Sequence, residues 1–148
     1  MSLRGAVAKA GASTAAPYRH FRDKDALLAA VVLEGHAESR GRLRGGGAGT
    51  VTVLGHSYLG FALENPALYR LMAGAGIGDR AAYPALAEAH RTTRAVLAER
   101  VGERRHPGGI AVTLWCLLHG LATLVIDGHV ERGTAVAEAE RSLALLNR

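Results

Sequence analysis

Apolar residues recur along this chain at spacings of three and four, the period of amphipathic α-helices. No segment shows the strict alternation of apolar and polar residues that is typical of a half-buried strand. The clearest stripe follows Asp23, a good helix N-cap, and continues at i, i+1, i+4, i+5 and i+8 as Leu27, Leu28, Val31, Val32 and Gly35. The pattern therefore predicts an all-α fold.

Glycine and proline divide this helical pattern into two units. Gly11 separates two short predicted helices at 3–10 and 13–21, before the longer one that follows Asp23. The glycines at 45, 46, 47 and 49 then interrupt the chain. The sequence therefore predicts an N-terminal unit over residues 1–44 and a larger body over residues 50–148. Five helices are predicted in the body, at about 50–64, 66–72, 84–105, 110–126 and 131–146.

The segment 110–126 is apolar on every side and carries no formal charge. Its 17 residues reach only the lower limit for a membrane span, and they include Thr113, His119 and Gly120. A helix buried on all sides within a protein or between two subunits is favoured over a membrane span. Since the last helix carries its own apolar stripe, Leu143→Glu in that stripe is predicted to separate two subunits. The stripe consists of Val136, Ala139, Leu143 and Leu146.

The positive charge of the chain is concentrated at its start. Residues 1–24 hold five basic residues and one acidic residue, and the rest of the chain holds 13 Lys/Arg and 12 Asp/Glu. A basic end on a nearly neutral body fits contact with a polyanion. On charge alone, a solvated basic terminus is an equal alternative.

The composition predicts no metal site, no cofactor and no disulfide. Cys116 is the single cysteine, and its apolar neighbours predict an inert core residue. The histidines show no pairing at i and i+4 that would suggest metal ligation. The first residues also lack an apolar signal-peptide region, so the expected location is the cytoplasm.

Residues 3–28 have the layout of a helix-turn-helix: a helix, a glycine turn, a Ser-capped second helix and a capped third helix. A narrow tip lets the second helix enter a major groove about 12 Å wide, where methyl groups can touch thymine. Basic and hydroxyl side chains beyond the tip can bind phosphates. The bland alternative is that the aromatic residues are core and the basic ones a solvated face. The predicted DNA contacts are Ser13, Thr14, Ala15, Ala16, Tyr18, Arg19, His20 and Lys24.

The stretch STAAPYRHFRDKDALLAAV resembles the recognition helix and following helix of TetR-type repressors. SYLGFALENPALYRLM and LWCLLHGLATLVIDG resemble the C-terminal domain of a TetR subgroup named for Trp-His-Gly, here Trp115, His119 and Gly120. The resemblance implies an Ω-shaped homodimer of nine-helix subunits that pair through helices 110–126 and 131–146. It also implies a small effector bound in the C-terminal domain that releases the protein from double-stranded operator DNA.

The start of the chain departs from this family pattern. TetR-type domains have a helix before the one that begins here at Leu3, and only Met1 and Ser2 precede it. The sequence thus predicts that this first helix is missing. A dimeric small-molecule-binding protein without DNA binding is therefore the alternative to a ligand-released repressor.

The largest side chains in the helices expected to enclose the effector are the candidates for its pocket. Plain core packing is the alternative for each one taken singly. These candidates are Tyr58, Phe61, Tyr69, Met72, Trp115 and His119.

Overall fold

The computed structural model describes residues 21–45, 51–101 and 110–146, and within these ranges the chain is all helical with no strand. The predicted all-α class is thereby confirmed for this part of the chain. Each body helix begins and ends close to its predicted limits. The helices are α1 (Lys24–Gly45), α2 (Val51–Glu64), α3 (Pro66–Met72), α4 (Pro84–Val101), α5 (Ile110–Ile126) and α6 (Arg132–Leu146), with a 3-10 turn at Arg80–Ala82.

Asp23 caps α1, as its position in the sequence predicts. The backbone N–H of Ala26 donates to Asp23 Oδ1 at 2.7 Å, which satisfies one of the free donors of the first turn. The same carboxylate oxygen accepts from the Tyr83 hydroxyl at 3.3 Å. Asp25, in the first turn of the helix, accepts from the N–H of Gly78 at 3.1 Å. The beginning of α1 is therefore bound to the segment between α3 and α4.

Local sequence sets the junctions of α2, α3 and α4. Pro66 lies in the first turn of α3, where its missing N–H removes no helical bond. Gly74 and Gly76 then take positive φ values of 124° and 85°, which a residue with a side chain rarely adopts. The 3-10 turn that follows is capped by Asp79 and was not predicted, because three residues carry no periodic pattern.

The helices pack around one core, and two glycines permit the closest approaches. A Cβ on Gly35 of α1 would lie 2.8 Å from Met72 Sδ and 2.9 Å from Leu68 Cδ1. The backbone of α1 at Gly35 is therefore packed directly against side chains of α3. A Cβ on Gly55 of α2 would overlap Leu143 of α6. Both glycines are present where a larger residue would separate two helices.

The sequence-based interpretation of α6 is corrected by this packing. Ala139 and Leu143 are fully buried within the protomer, and Leu143 lies against α2 at Gly55. The stripe they share therefore faces the core of its own subunit. Leu143→Glu is consequently the wrong test of a subunit interface. Leu146 ends the helix, and its side chain lies outside the described part of the chain.

The prediction that α5 is buried on all sides does not hold within one protomer. Leu114, Leu118 and Ala122 are completely buried, whereas Val112 and Leu124 on the other side are 43% and 41% exposed. Cys116 is exposed as well, which corrects its interpretation as a core residue. No helix in the described ranges combines the length and apolar character needed to cross a membrane.

Candidate functional site

A cavity lies inside the helical body, and side chains from each of α1 to α5 line it. About 60 Å³ of its interior can hold the centre of a water molecule, and part of the cavity opens to solvent. A mostly apolar wall with a few polar groups is typical of small-molecule sites. The structure brings all six predicted ligand residues to this one cavity, although they come from three separate helices. They are Tyr58, Phe61, Tyr69, Met72, Trp115 and His119.

Six aromatic rings follow one another around the cavity, and we call them the aromatic wall. Adjacent ring centroids are 5.9, 5.5, 5.7, 5.5 and 6.1 Å apart, within the range of favourable edge and offset contacts. A flat apolar ligand could contact several rings of such a continuous wall at once. In order, the rings belong to His36, His90, Trp115, His119, Tyr69 and Tyr58.

A chain of hydrogen bonds joins one half of the aromatic wall. The Tyr58 and Tyr69 hydroxyls are 2.9 Å apart, and the Tyr69 hydroxyl lies 2.6 Å from His119 Nδ1. Both hydroxyl protons are used within the chain when Tyr58 donates to Tyr69 and Tyr69 donates to the Nδ1 lone pair of His119. His119 then carries its proton on Nε2.

Burial keeps these groups uncharged. It raises the pKa of the Tyr58 and Tyr69 hydroxyls above the usual tyrosine value. It also lowers the pKa of His119. The hydrogen-bonded half of the wall is therefore neutral at physiological pH, and it fixes the direction of its donors rather than supplying charge.

The other half of the wall centres on His36, which is only 5% exposed. Its Nδ1 lies 3.1 Å from Thr93 Oγ1. Since Thr93 donates its own proton to the carbonyl of Ala89 at 2.8 Å, it must accept from His36. The His36 proton is thus on Nδ1, and Nε2 is a buried lone pair with no hydrogen-bond partner among the described residues. Burial, followed by the charge of His90, lowers the pKa of His36 to about 4, so the ring stays neutral.

The sequence interpretation missed His36, Ser39, His90, Thr93 and Arg94, which also line the cavity. The signal for three of them was present. His36 and Ser39 follow Val32 at helical spacing and so extend the apolar stripe of α1. Thr93 lies seven residues after the buried Leu86, on the same face of α4. Polar residues on an inward-facing stripe indicate either a buried hydrogen bond or a ligand contact.

Among the described residues that line this cavity, Arg94 is the one arginine or lysine. Its guanidinium lies 5.2 Å from the centre of the Trp115 ring, within cation–π range. In the described ranges, no aspartate or glutamate lines the cavity. No cluster of three or more His, Cys, Asp or Glu side chains suited to a metal ion occurs there either. The arrangement is therefore suited to binding an organic molecule.

The predicted DNA contacts are not part of this site. Lys24 is the exposed first residue of α1. Every other predicted contact, from Ser13 to His20, lies outside the described residues, as do the predicted helix 3–10 and all of the predicted helix 13–21 except Phe21, which is not helical.

Comparison with known proteins identifies the body of the chain. Residues 51–147 match the family model described as tetracyclin repressor-like, C-terminal domain. Because that match covers about two thirds of the sequence, the chain belongs to this family. No curated protein matches the chain. No solved structure matches it. The Trp-His-Gly subgroup stays a prediction.

Proposed function

We propose that the chain is a DNA-binding transcriptional regulator, a repressor that a small-molecule effector releases from its operator. Membership of the tetracyclin repressor-like family supports the class of protein. The single observation that carries effector binding is the cavity, whose wall combines an aromatic surface with a few buried polar groups. A mostly apolar wall with a few placed polar groups can hold an organic molecule in a defined orientation.

The position of α1 supports a link between this cavity and the DNA. α1 supplies His36, Ser39 and Leu43 to the cavity wall, and it follows directly on the basic N-terminal segment. An occupant that contacts α1 on one side and α4 and α5 on the other biases the position of α1 relative to the body. Operator release would then be a population shift between two arrangements with different DNA affinity.

The start of α1 is positioned by a group of contacts that we call the Tyr83 clasp. The Tyr83 hydroxyl accepts from Arg22 at 3.2 Å and donates to Asp23, while Asp25 binds the N–H of Gly78. The clasp joins α1 to the segment that directly follows Met72 and Ala73, and both of these line the cavity. A second route from the cavity to the N-terminal segment is thereby provided.

We further propose that two copies pair through the exposed side of α5, with α6 beside it. Val112, Cys116 and Leu124 lie on one side of α5 and are exposed in the protomer, which is unusual in a helix without a single charge. Exposed apolar surface of this kind is typical of a subunit interface. The family resemblance implies the same pair of helices.

Leu124→Arg tests this interface. We expect the substitution to convert a dimer to a monomer in analytical ultracentrifugation, because it places a charge in an apolar contact. Val31→Arg is the matched control, because Val31 on α1 is also 41% exposed. A Leu124→Arg protein that sediments as the wild type does would exclude this face as the interface.

Operator binding is tested with an electrophoretic mobility shift on DNA upstream of the gene, using the complete protein. Binding should weaken steeply as salt rises, since phosphate contacts release counterions. Tyr18→Ala with Lys24→Ala should weaken binding further, and unchanged affinity would remove both from the list of phosphate contacts. Absent or salt-independent binding by the wild type would instead favour a dimeric small-molecule-binding protein.

A further inference from the structure

A shallow groove lies on the outside of the cavity, between α4 and α5. Small residues form much of its floor, among them Ala87, Ala95, Ala98 and Ala111. His90, Arg94, Leu97 and Trp115 line both the groove and the cavity. The stacked pair of Arg94 and Trp115 therefore stands between the interior space and the surface.

The charged side chains that line the groove and the cavity are all positive. Arg91 and Arg94 are the charged residues lining the groove, and within the described ranges no carboxylate lines either space. Arg91 is paired with Glu88. In the same part of the chain, Arg94 makes no ion pair and lies against the Trp115 ring. Arg94 is thus a cation available to an anionic ligand at the mouth of an apolar cavity.

Among the described residues that line the cavity, none at its interior end carries a formal charge. The His36 ring is neutral, so it offers a carboxylate no positive charge. The pKa values of His90 and His119 are lowered too, so neither supplies a positive charge at neutral pH. An anion would consequently lie at the Arg94 end, with the rest of the molecule directed inward.

We propose that the effector is a small amphipathic carboxylate, whose apolar body lies along the aromatic wall while its carboxylate binds Arg94. This inference rests on the proposed function, because it takes the cavity as the effector site. Arg94 suits the role because a guanidinium can bind a carboxylate through two parallel hydrogen bonds while its face stays on an aromatic ring.

Trp115 is the only tryptophan of the chain, so its fluorescence reports on this site alone. The probes are phenyl-terminated carboxylic acids with chains of two to five carbons, each compared at pH 7.5 with its neutral primary amide. We expect the best acid to bind at least about tenfold more tightly than its amide, since charge-assisted hydrogen bonds are the stronger class. Dissociation constants are taken from quenching of Trp115 and repeated by calorimetry.

Variants assign the preference to one side chain. Arg94→Gln should remove most of the difference between acid and amide and leave amide binding nearly unchanged, while Arg94→Lys should keep the preference. Arg91→Gln is the matched control, because Arg91 lies on the same helix and lines only the groove. It should change the affinity of the acid less than about threefold, as expected for an exposed charge outside the contact.

Two results would overturn the proposed class of effector. One is equal binding of acid and amide, or no binding of any acid in the series. The other is a preference for the acid that survives in Arg94→Gln. Failure of the proposed function would look different: the best acid would bind beside Trp115 and leave the mobility shift of operator DNA unaltered, or the protein would not bind operator DNA at all.

Discussion

Leu143→Glu will unfold the helical body. Leu143 is fully buried, and its side chain fills the space left by Gly55 in the facing helix. Truncating a leucine in such a position typically removes about 2–5 kcal/mol of stability. A buried carboxylate adds a desolvation penalty, so the loss should reach roughly the size of the whole folding free energy of a small protein. Circular dichroism at 222 nm during urea unfolding measures the effect.

Leu145→Glu is the matched control, because Leu145 lies two residues further along the same helix and is 66% exposed. Its free energy of unfolding should stay within about 0.5 kcal/mol of the wild type, as for most surface substitutions. Leu143→Ala supplies an intermediate loss if the glutamate variant cannot be isolated. Equal stability of Leu143→Ala and wild type would show that α6 does not pack as described.

Acidification from pH 7 to pH 4 will destabilise the protein, and His36 accounts for a large share of the loss. The pKa of His36 is lowered from 6.5 to about 4 by burial and then by the charge of His90. Between pH 6.5 and pH 4 the unfolded chain binds a proton at His36, whereas the folded protein does not. Stability is therefore complete above about pH 6.5, falls as pH drops towards 4, and levels off below that value. The shift corresponds to about 3 kcal/mol.

His36→Gln removes this difference in proton binding between the folded and the unfolded chain. We expect the free energy of unfolding to depend less on pH between 6.5 and 4, by up to about 1.4 kcal/mol per pH unit. Urea unfolding at a series of pH values gives the slope. His129→Gln, which removes an exposed imidazole in the turn after α5, controls for the loss of a histidine as such. An unchanged slope in His36→Gln would mean that the pKa of His36 is the same in the folded and the unfolded chain.

The helices were predictable because their beginnings and ends depend on residues close together in the sequence. Asp23 and Pro66 mark helix starts, while Gly74, Gly76 and Gly128 mark turns with positive φ. Large side chains at helical spacing likewise indicated the residues that meet in the cavity. These signals depend only on residues close together in sequence, so a single chain is sufficient to read them.

What the sequence could not provide is the identity of the surface that an apolar stripe meets. The stripe of α6 faces its own core at Leu143, whereas part of the apolar surface of α5 is exposed at Leu124. In the sequence, the two helices show apolar residues at similar spacing. The contact of His36 with Thr93 likewise joins residues 57 positions apart, and no local pattern predicts which two helices meet there.

The close contact at Gly35 is a point about which α1 could tilt, and we call it the fulcrum. Leu68 and Met72 contact the helix at that residue, and Lys24 lies eleven residues away at its beginning. At 1.5 Å per residue the arm is ~16 Å long, so a tilt of ~10° swings its tip by ~3 Å. His36, beside the fulcrum, needs to move very little for this to happen. The geometry would magnify a small displacement inside the protein into a larger one at the beginning of α1, next to the predicted DNA-binding segment, and the Tyr83 clasp would have to open for it.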